Sequence, residues 1–119
     1  MLAQVAGIAG DSLRAQKQLR RDFPPAMCRA GLALVDVRRR GGDKFARAGE
    51  MFFDREGLEM ATREEVARYR AWRLREAGDV ADLCCGIGGD LVALGQGRTV
   101  WAVDADRRRL AMARHNGEV

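Results

Sequence analysis

The chain has 119 residues, 47% hydrophobic and 32% charged, with a formal net charge of +4. That balance supports a folded core and excludes disorder by composition, and no apolar run approaches the roughly 18 residues of a membrane span. Met1 to Gly10 is mildly apolar but lacks the basic start and small-residue cleavage site of a signal peptide.

Along the chain, Leu2, Val5, Ile8, Leu13 and Leu19 recur at loose helical spacing. Asp22-Phe23-Pro24-Pro25 restarts the chain, because proline is tolerated in a first helical turn and not later. Met27, Cys28, Leu32, Leu34 and Val35 then form an apolar stripe on a helix that Gly41-Gly42 ends. A second short helical stretch is expected to carry Phe45, Ala48 and Phe52 inward. Thr62-Arg63-Glu64-Glu65 reads as a capping box, with Thr62 as the cap and Glu65 reaching back. Val66, Tyr69, Arg73 and Leu74 continue that helix toward Gly78, a natural residue for its end.

The stretch from Val80 to Asp104 carries the chemistry. Val80-Ala81-Asp82-Leu83 is a short strand running into Cys84-Cys85-Gly86-Ile87-Gly88-Gly89-Asp90. A second strand, Thr99 to Val103, ends in Asp104, 22 residues after Asp82. That spacing is how a βαβ unit holds an adenosine at the carboxyl ends of its strands. Gly86 and Gly88 allow a sharp turn and a close approach of ligand to backbone. Asp104 closes an otherwise apolar strand and needs a polar partner; ribose hydroxyls would supply one. Asp106 is expected to cap the helix that follows, Cys84 and Cys85 to be small buried residues, His115 to lie on the surface, and Asn116 to cap a helix end.

The glycine spacing does not match G-x-G-x-x-G, because the third small position is missing. Asp82 and Asp90 on either side of the loop would repel a pyrophosphate and suit a cationic sulfonium and an ammonium group instead. S-adenosyl-L-methionine is therefore favoured over a nicotinamide dinucleotide.

Asp82 to Asp90 resembles motif I of class I S-adenosylmethionine-dependent methyltransferases, and Val103-Asp104-Ala105-Asp106 with Ala113 to Asn116 resembles their second-strand motif and following helix. Upstream, Met51 to Glu64, with Asp54-Arg55-Glu56-Gly57 and Thr62-Arg63-Glu64, is similar to the leader of trimethylguanosine synthases. It is more similar still to bacterial methyltransferases with a THUMP-like domain. The resemblance runs from about Arg38 to Val119. It implies an α/β fold: a helical amino-terminal region, residues 1–78, then the first βαβ part of a Rossmann-like methyltransferase sheet, residues 79–119, left incomplete. It also implies that Asp82, Cys84, Gly86, Gly88 and Asp104 line the donor, with Asp82 by the methionine moiety, and that Thr62 lies close by. The family's acceptor-binding motif is absent from this stretch, so the chain is expected to be the amino-terminal part of a larger enzyme, or a truncated product, inactive alone. No catalytic residue is assigned.

Three cysteines, two of them adjacent, with His115 the only histidine, do not make a zinc site; reduced thiols and a cytoplasmic location are expected. Residues 1–78 hold 16 Lys and Arg against 11 Asp and Glu, a net of +5, while residues 79–119 carry −1. A basic half beside a near-neutral one favours RNA or another polyanion. Arg38-Arg39-Arg40 reads equally as a solvated helix face and Arg107-Arg108-Arg109 reads better as one, and no aromatic-interleaved basic motif of the base-stacking kind is present, so RNA rests mainly on the resemblance. The alternatives are a nucleotide-dependent oxidoreductase fragment and a non-catalytic helical RNA-binding or regulatory module.

Overall fold

The computed structural model describes residues 12–119, so Leu2, Val5 and Ile8 lie outside the described residues. The elements are α1 (Ser12–Asp22), α2 (Pro25–Gly41), α3 (Arg55–Met60), α4 (Glu64–Arg73), β1 (Val80–Leu83), α5 (Leu91–Leu94), β2 (Val100–Val103) and α6 (Arg107–Asn116). Among the described residues the chain is mixed helical with one two-stranded parallel sheet, in which Val80 pairs with Val100 and Leu83 with Val103. Among the described residues no helix is long and apolar enough to cross a membrane.

The double proline starts α2 as expected: Pro24 is the N-cap in an extended conformation and Pro25 the first helical residue. Cys28 is buried against Leu19 of α1, with Phe23, Leu32 and Val35 packed around them. Met27 turns outward and is exposed, so the stripe is narrower than its sequence spacing implied. Arg38, Arg39 and Arg40 occupy the last turn of α2, where cations complement the helix dipole.

Residues 42–51 differ from expectation. They form consecutive turns rather than a helix. Phe45 and Ala48 are buried as anticipated, but Met51 and Phe53 go inward while Phe52 is only half-buried. The Phe45 and Phe53 rings lie 5.8 Å apart. With Leu58 and Ile87 these residues make the largest core, joined by Val92 of α5 side and Met112 of α6. That core draws on both sides of position 78. Each of Phe45, Met51 and Ile87 is fully buried, which stabilises the fold by about 1.5–3 kcal/mol apiece.

Side chains then tie the turns and α3 into place. Lys44 donates from Nζ to the carbonyls of Leu58, Glu59 and Ala61 at 2.7–2.9 Å, satisfying the carbonyl end of α3. Arg38 is half-buried rather than solvated: it donates to Met51 O at 2.7 Å and its guanidinium lies 5.3 Å from the centre of the Phe52 ring.

Asn116 is the main departure on α6. It is fully buried and Gly117 closes the helix in its place. Its side chain accepts from Phe52 N at 2.7 Å and donates to Phe52 O and Ile87 O, both at 2.8 Å. His115 is exposed as anticipated and packs edge-on against Phe52. Asn116→Ala would strand one buried donor and two acceptors, so an unfolding free energy lower by about 2–4 kcal/mol is expected from denaturant titration.

Candidate functional site

The turn after β1 is built by conformation before chemistry. Cys84 N and Cys85 N both donate to Val103 O, at 2.7 and 2.9 Å, so the loop is hooked onto the last residue of β2. Gly86 (φ 55°) and Gly88 (φ 82°) take the left-handed conformation that side chains resist. At Gly88 a Cβ would also meet the Ala113 backbone of α6 at 2.9 Å. At Gly86 it would meet nothing within 4 Å, so that backbone faces open space. Cys84 also has a positive φ, 79°, although it is not glycine. Such strain costs about 1–3 kcal/mol and gathers at functional loops.

Asp104 is bound into this loop. Its Oδ2 accepts from Gly86 N at 2.8 Å and its Oδ1 from Asp106 N at 2.9 Å. These backbone donors hold its carboxyl below the usual carboxylate range. Each oxygen keeps a further lone pair for an incoming hydroxyl. Asp106 caps α6 as expected, accepting from Arg108 N and Arg109 N.

A cavity of about 140 Å³ lies over the loop. Its walls include Thr62, Asp82, Cys84, Gly86 and Asp104, so five of the six residues singled out from sequence come together there. Gly88 does not reach the cavity wall; it packs under the loop against α6. Asp90, expected from sequence as a carboxylate beside the loop, also lines the cavity, as does Arg109, which sequence reasoning gave no place in the site. A wider cleft of about 530 Å³ between α4 and β1 shares Asp82 and Asp90 with it.

Thr62 does not cap α4. Arg63 takes the N-cap position, without a side-chain cap bond, so the capping box expected of Thr62 and Glu65 does not form; Glu64 accepts from Ala46 N. The Thr62 hydroxyl instead donates to Asp90 Oδ2 at 2.8 Å, and Arg70 Nη1 reaches the same oxygen at 2.7 Å. Asp90 Oδ1 is buried and has no partner. The helix itself ends at Arg73, with Leu74 as its C-cap, five residues short of Gly78.

At the opposite wall, Arg109 is largely buried, not solvated, and pairs with Glu56 at 2.6 Å and Asp54 at 3.6 Å. The segment from Asp54 to Thr62 therefore crosses the loop as a strap held at both ends. Asp54 also caps α3 by accepting from Gly57 N.

The cavity is acidic in balance, since the charge of Arg109 is already engaged by carboxylates. Burial, and then the nearby Asp90 charge, push the Asp82 carboxyl up. The Cys85 thiol is pushed up to about 11, mainly by burial and then by Asp82 and Asp104. It is therefore a protonated wall group and no nucleophile. Cys84 departs from expectation: it is exposed where a small buried residue was anticipated, while Cys85 and Cys28 are buried. Among the described residues no group of three or more His, Cys, Asp and Glu could hold a metal. No protein-family model and no solved structure matches the chain.

Brief treatment of the native chain with iodoacetamide is expected to label Cys84 and spare Cys28 and Cys85, as read by peptide mass spectrometry. Rapid labelling of Cys85 would contradict its burial and raised pKa. A second expectation concerns Asp82. An acid whose folded pKa is raised opposes folding above its unfolded pKa, and the penalty fades as pH falls through the folded value. Asp82→Asn should therefore raise the thermal midpoint at pH 7.5 and leave it nearly unchanged at pH 3; a lower midpoint at pH 7.5 would refute this assignment.

Proposed function

We propose that this chain carries the donor-binding part of a class I S-adenosylmethionine-dependent methyltransferase, built on the opening βαβ unit of a Rossmann-like sheet and directed at RNA. The observation that carries this reading is the Asp104 carboxylate bonded to Gly86 N at the cavity wall, at the two places where a nucleoside donor needs a hydroxyl acceptor and a bare backbone.

The residues present fit such a donor by three tests. Asp104 retains acceptor capacity beyond its backbone bonds. The side of Gly86 where a Cβ would stand is empty, so a flat ring or chain can approach the backbone. Asp82, Asp90 and Asp104 make an acidic wall that favours a sulfonium and an ammonium and disfavours a pyrophosphate. A cavity of about 140 Å³ is below the roughly 300–1,000 Å³ of most ligand sites. The donor on this reading also extends into the adjoining cleft past Asp82 and Asp90.

The bound donor supplies an already activated methyl group, so little covalent help is asked of the protein. Asp104 would orient the ribose, and Asp82 the amino-acid end. The strap from Asp54 to Thr62 would exclude water from one side. Rate then comes from alignment and from a dry site.

Isothermal titration with S-adenosylhomocysteine tests the reading. Binding is expected, and Asp104→Ala is expected to weaken it about ten- to hundredfold, the range for a hydrogen bond made by a charged group. The same donor analogue should shield Cys84 from alkylation. Heat with NAD and none with S-adenosylhomocysteine would overturn the proposal in favour of a nucleotide-dependent oxidoreductase.

A further inference from the structure

Contrary to the expectation that no aromatic-interleaved basic motif is present, Tyr69-Arg70-Ala71-Trp72-Arg73-Leu74-Arg75 interleaves two aromatics with arginines, and on α4 and the two residues after it this stretch forms a surface. The Tyr69 and Trp72 rings lie side by side, centroids 5.8 Å apart and 30° from parallel. Both are 56% exposed, and Val66, 45% exposed, continues the row one turn earlier. Two large aromatics left open to water on one helix face mark a contact surface.

Aromatic exposure alone would suit any apolar partner; the cations narrow the choice. Residues 63–75 hold five arginines against two glutamates. The Arg75 guanidinium sits 5.0 Å from the centre of the Trp72 ring, and Arg73 Nη1 reaches the Tyr69 hydroxyl at 3.5 Å. Arg75 also pairs with Glu76, but both groups are more than half exposed, so the pair is weak and exchangeable. An apolar protein strand laid here would have to strip water from these guanidiniums without replacing it. A nucleic-acid strand would use them: planar cations for phosphates and ring faces for bases.

Placement completes the case. Tyr69, Arg70 and Arg73 line the cleft beside β1, whose far wall is Asp82 and Asp90. Those two acids also wall the donor cavity. A strand lying along α4 would therefore pass within one cleft of the donor.

We propose that the outward face of α4 binds single-stranded RNA, stacking bases on Tyr69 and Trp72 and holding phosphates with Arg73 and Arg75, so that a neighbouring nucleotide is offered to the donor cavity. The last step rests on the methyltransferase reading above; the surface itself does not.

The test is fluorescence anisotropy of a labelled single-stranded RNA of about 12 nucleotides, within the usual span of such sites, against the 119-residue chain. Tyr69→Ala and Trp72→Ala are each expected to weaken binding about five- to hundredfold, the range for one lost base stack. Arg73→Ala should make the affinity less steeply dependent on salt. All three side chains are exposed, so circular dichroism melts should match the parent chain; Trp72 lines neither the donor cavity nor the cleft, so Trp72→Ala should also leave S-adenosylhomocysteine titrations unchanged. RNA affinity that survives the Tyr69→Ala, Trp72→Ala double variant would overturn the proposal. So would a chain that ignores RNA and instead forms a dimer dissolved by that double variant, since the face would then bind protein. RNA binding that depends on Trp72 in a chain that does not bind S-adenosylhomocysteine would uphold the surface and sink the methyl-donor reading alone.

Discussion

One buried amide organises the molecule. Asn116, at the end of α6, holds the Phe52 backbone through both its N–H and its C=O, and reaches Ile87 O within the glycine loop. Phe52 belongs to the segment leading into α3, Ile87 to the turn after β1, and Asn116 to the last helix. Three stretches far apart in sequence thus share one fully buried side chain. Removing a group that satisfies several buried partners costs more than the bonds themselves are worth. The core repeats the same convergence: Ile87 is packed among Phe45, Met51, Phe53 and Leu58. The loop is thus a core element as well as a turn.

Local signals in the sequence were legible wherever the partner was also local. Pro24 and Pro25 begin α2, Asp106 caps α6, and the two short strands lie where their apolar runs end in acids. The glycine turn could be placed because Gly86 and Gly88 adopt backbone angles other residues avoid. What escaped was set by distant partners. Thr62 has the sequence of a cap, but its hydroxyl finds Asp90, 28 residues on. Arg109 looks like one of three solvated arginines until Glu56, 53 residues back, pairs with it. Lys44 gives no hint in sequence that it closes the carbonyl end of α3. The turns of residues 42–51 bury Phe45 and Ala48 as a helix would have done, so periodicity alone pointed to the wrong backbone and missed Met51 and Phe53.

The sheet presents a complementary constraint. Val80 N bonds to Thr99 O, just before β2, and Cys84 N to Val103 O, the last residue of β2. In a parallel pair the bonding residues alternate, so the backbone groups of Ala81 and Leu83 point to the opposite edge, beside the α4 cleft. On one face of the sheet Val100 packs with Leu91, Leu110 and Ala113. Leu83, Trp101 and Val103 are exposed. Parallel sheets are ordinarily covered on both faces, and this one is covered on one.

The strap and the loop together explain how so acidic a cavity holds its shape. Asp54 and Glu56 at one end are countered by Arg109, and Asp90 at the other by Arg70 and the Thr62 hydroxyl. Asp104 is countered by backbone N–H groups rather than by a cation. The carboxylates that face the cavity are thus held in place by partners behind them. Asp82 is the exception, with a carboxyl raised by burial and by its neighbour's charge and relieved only in part by Arg70. A cation entering the cavity would meet an acid whose electrostatic cost has already been met by the fold. A positive charge beside Asp82 would offset part of the cost that burial and the Asp90 charge impose on its carboxylate.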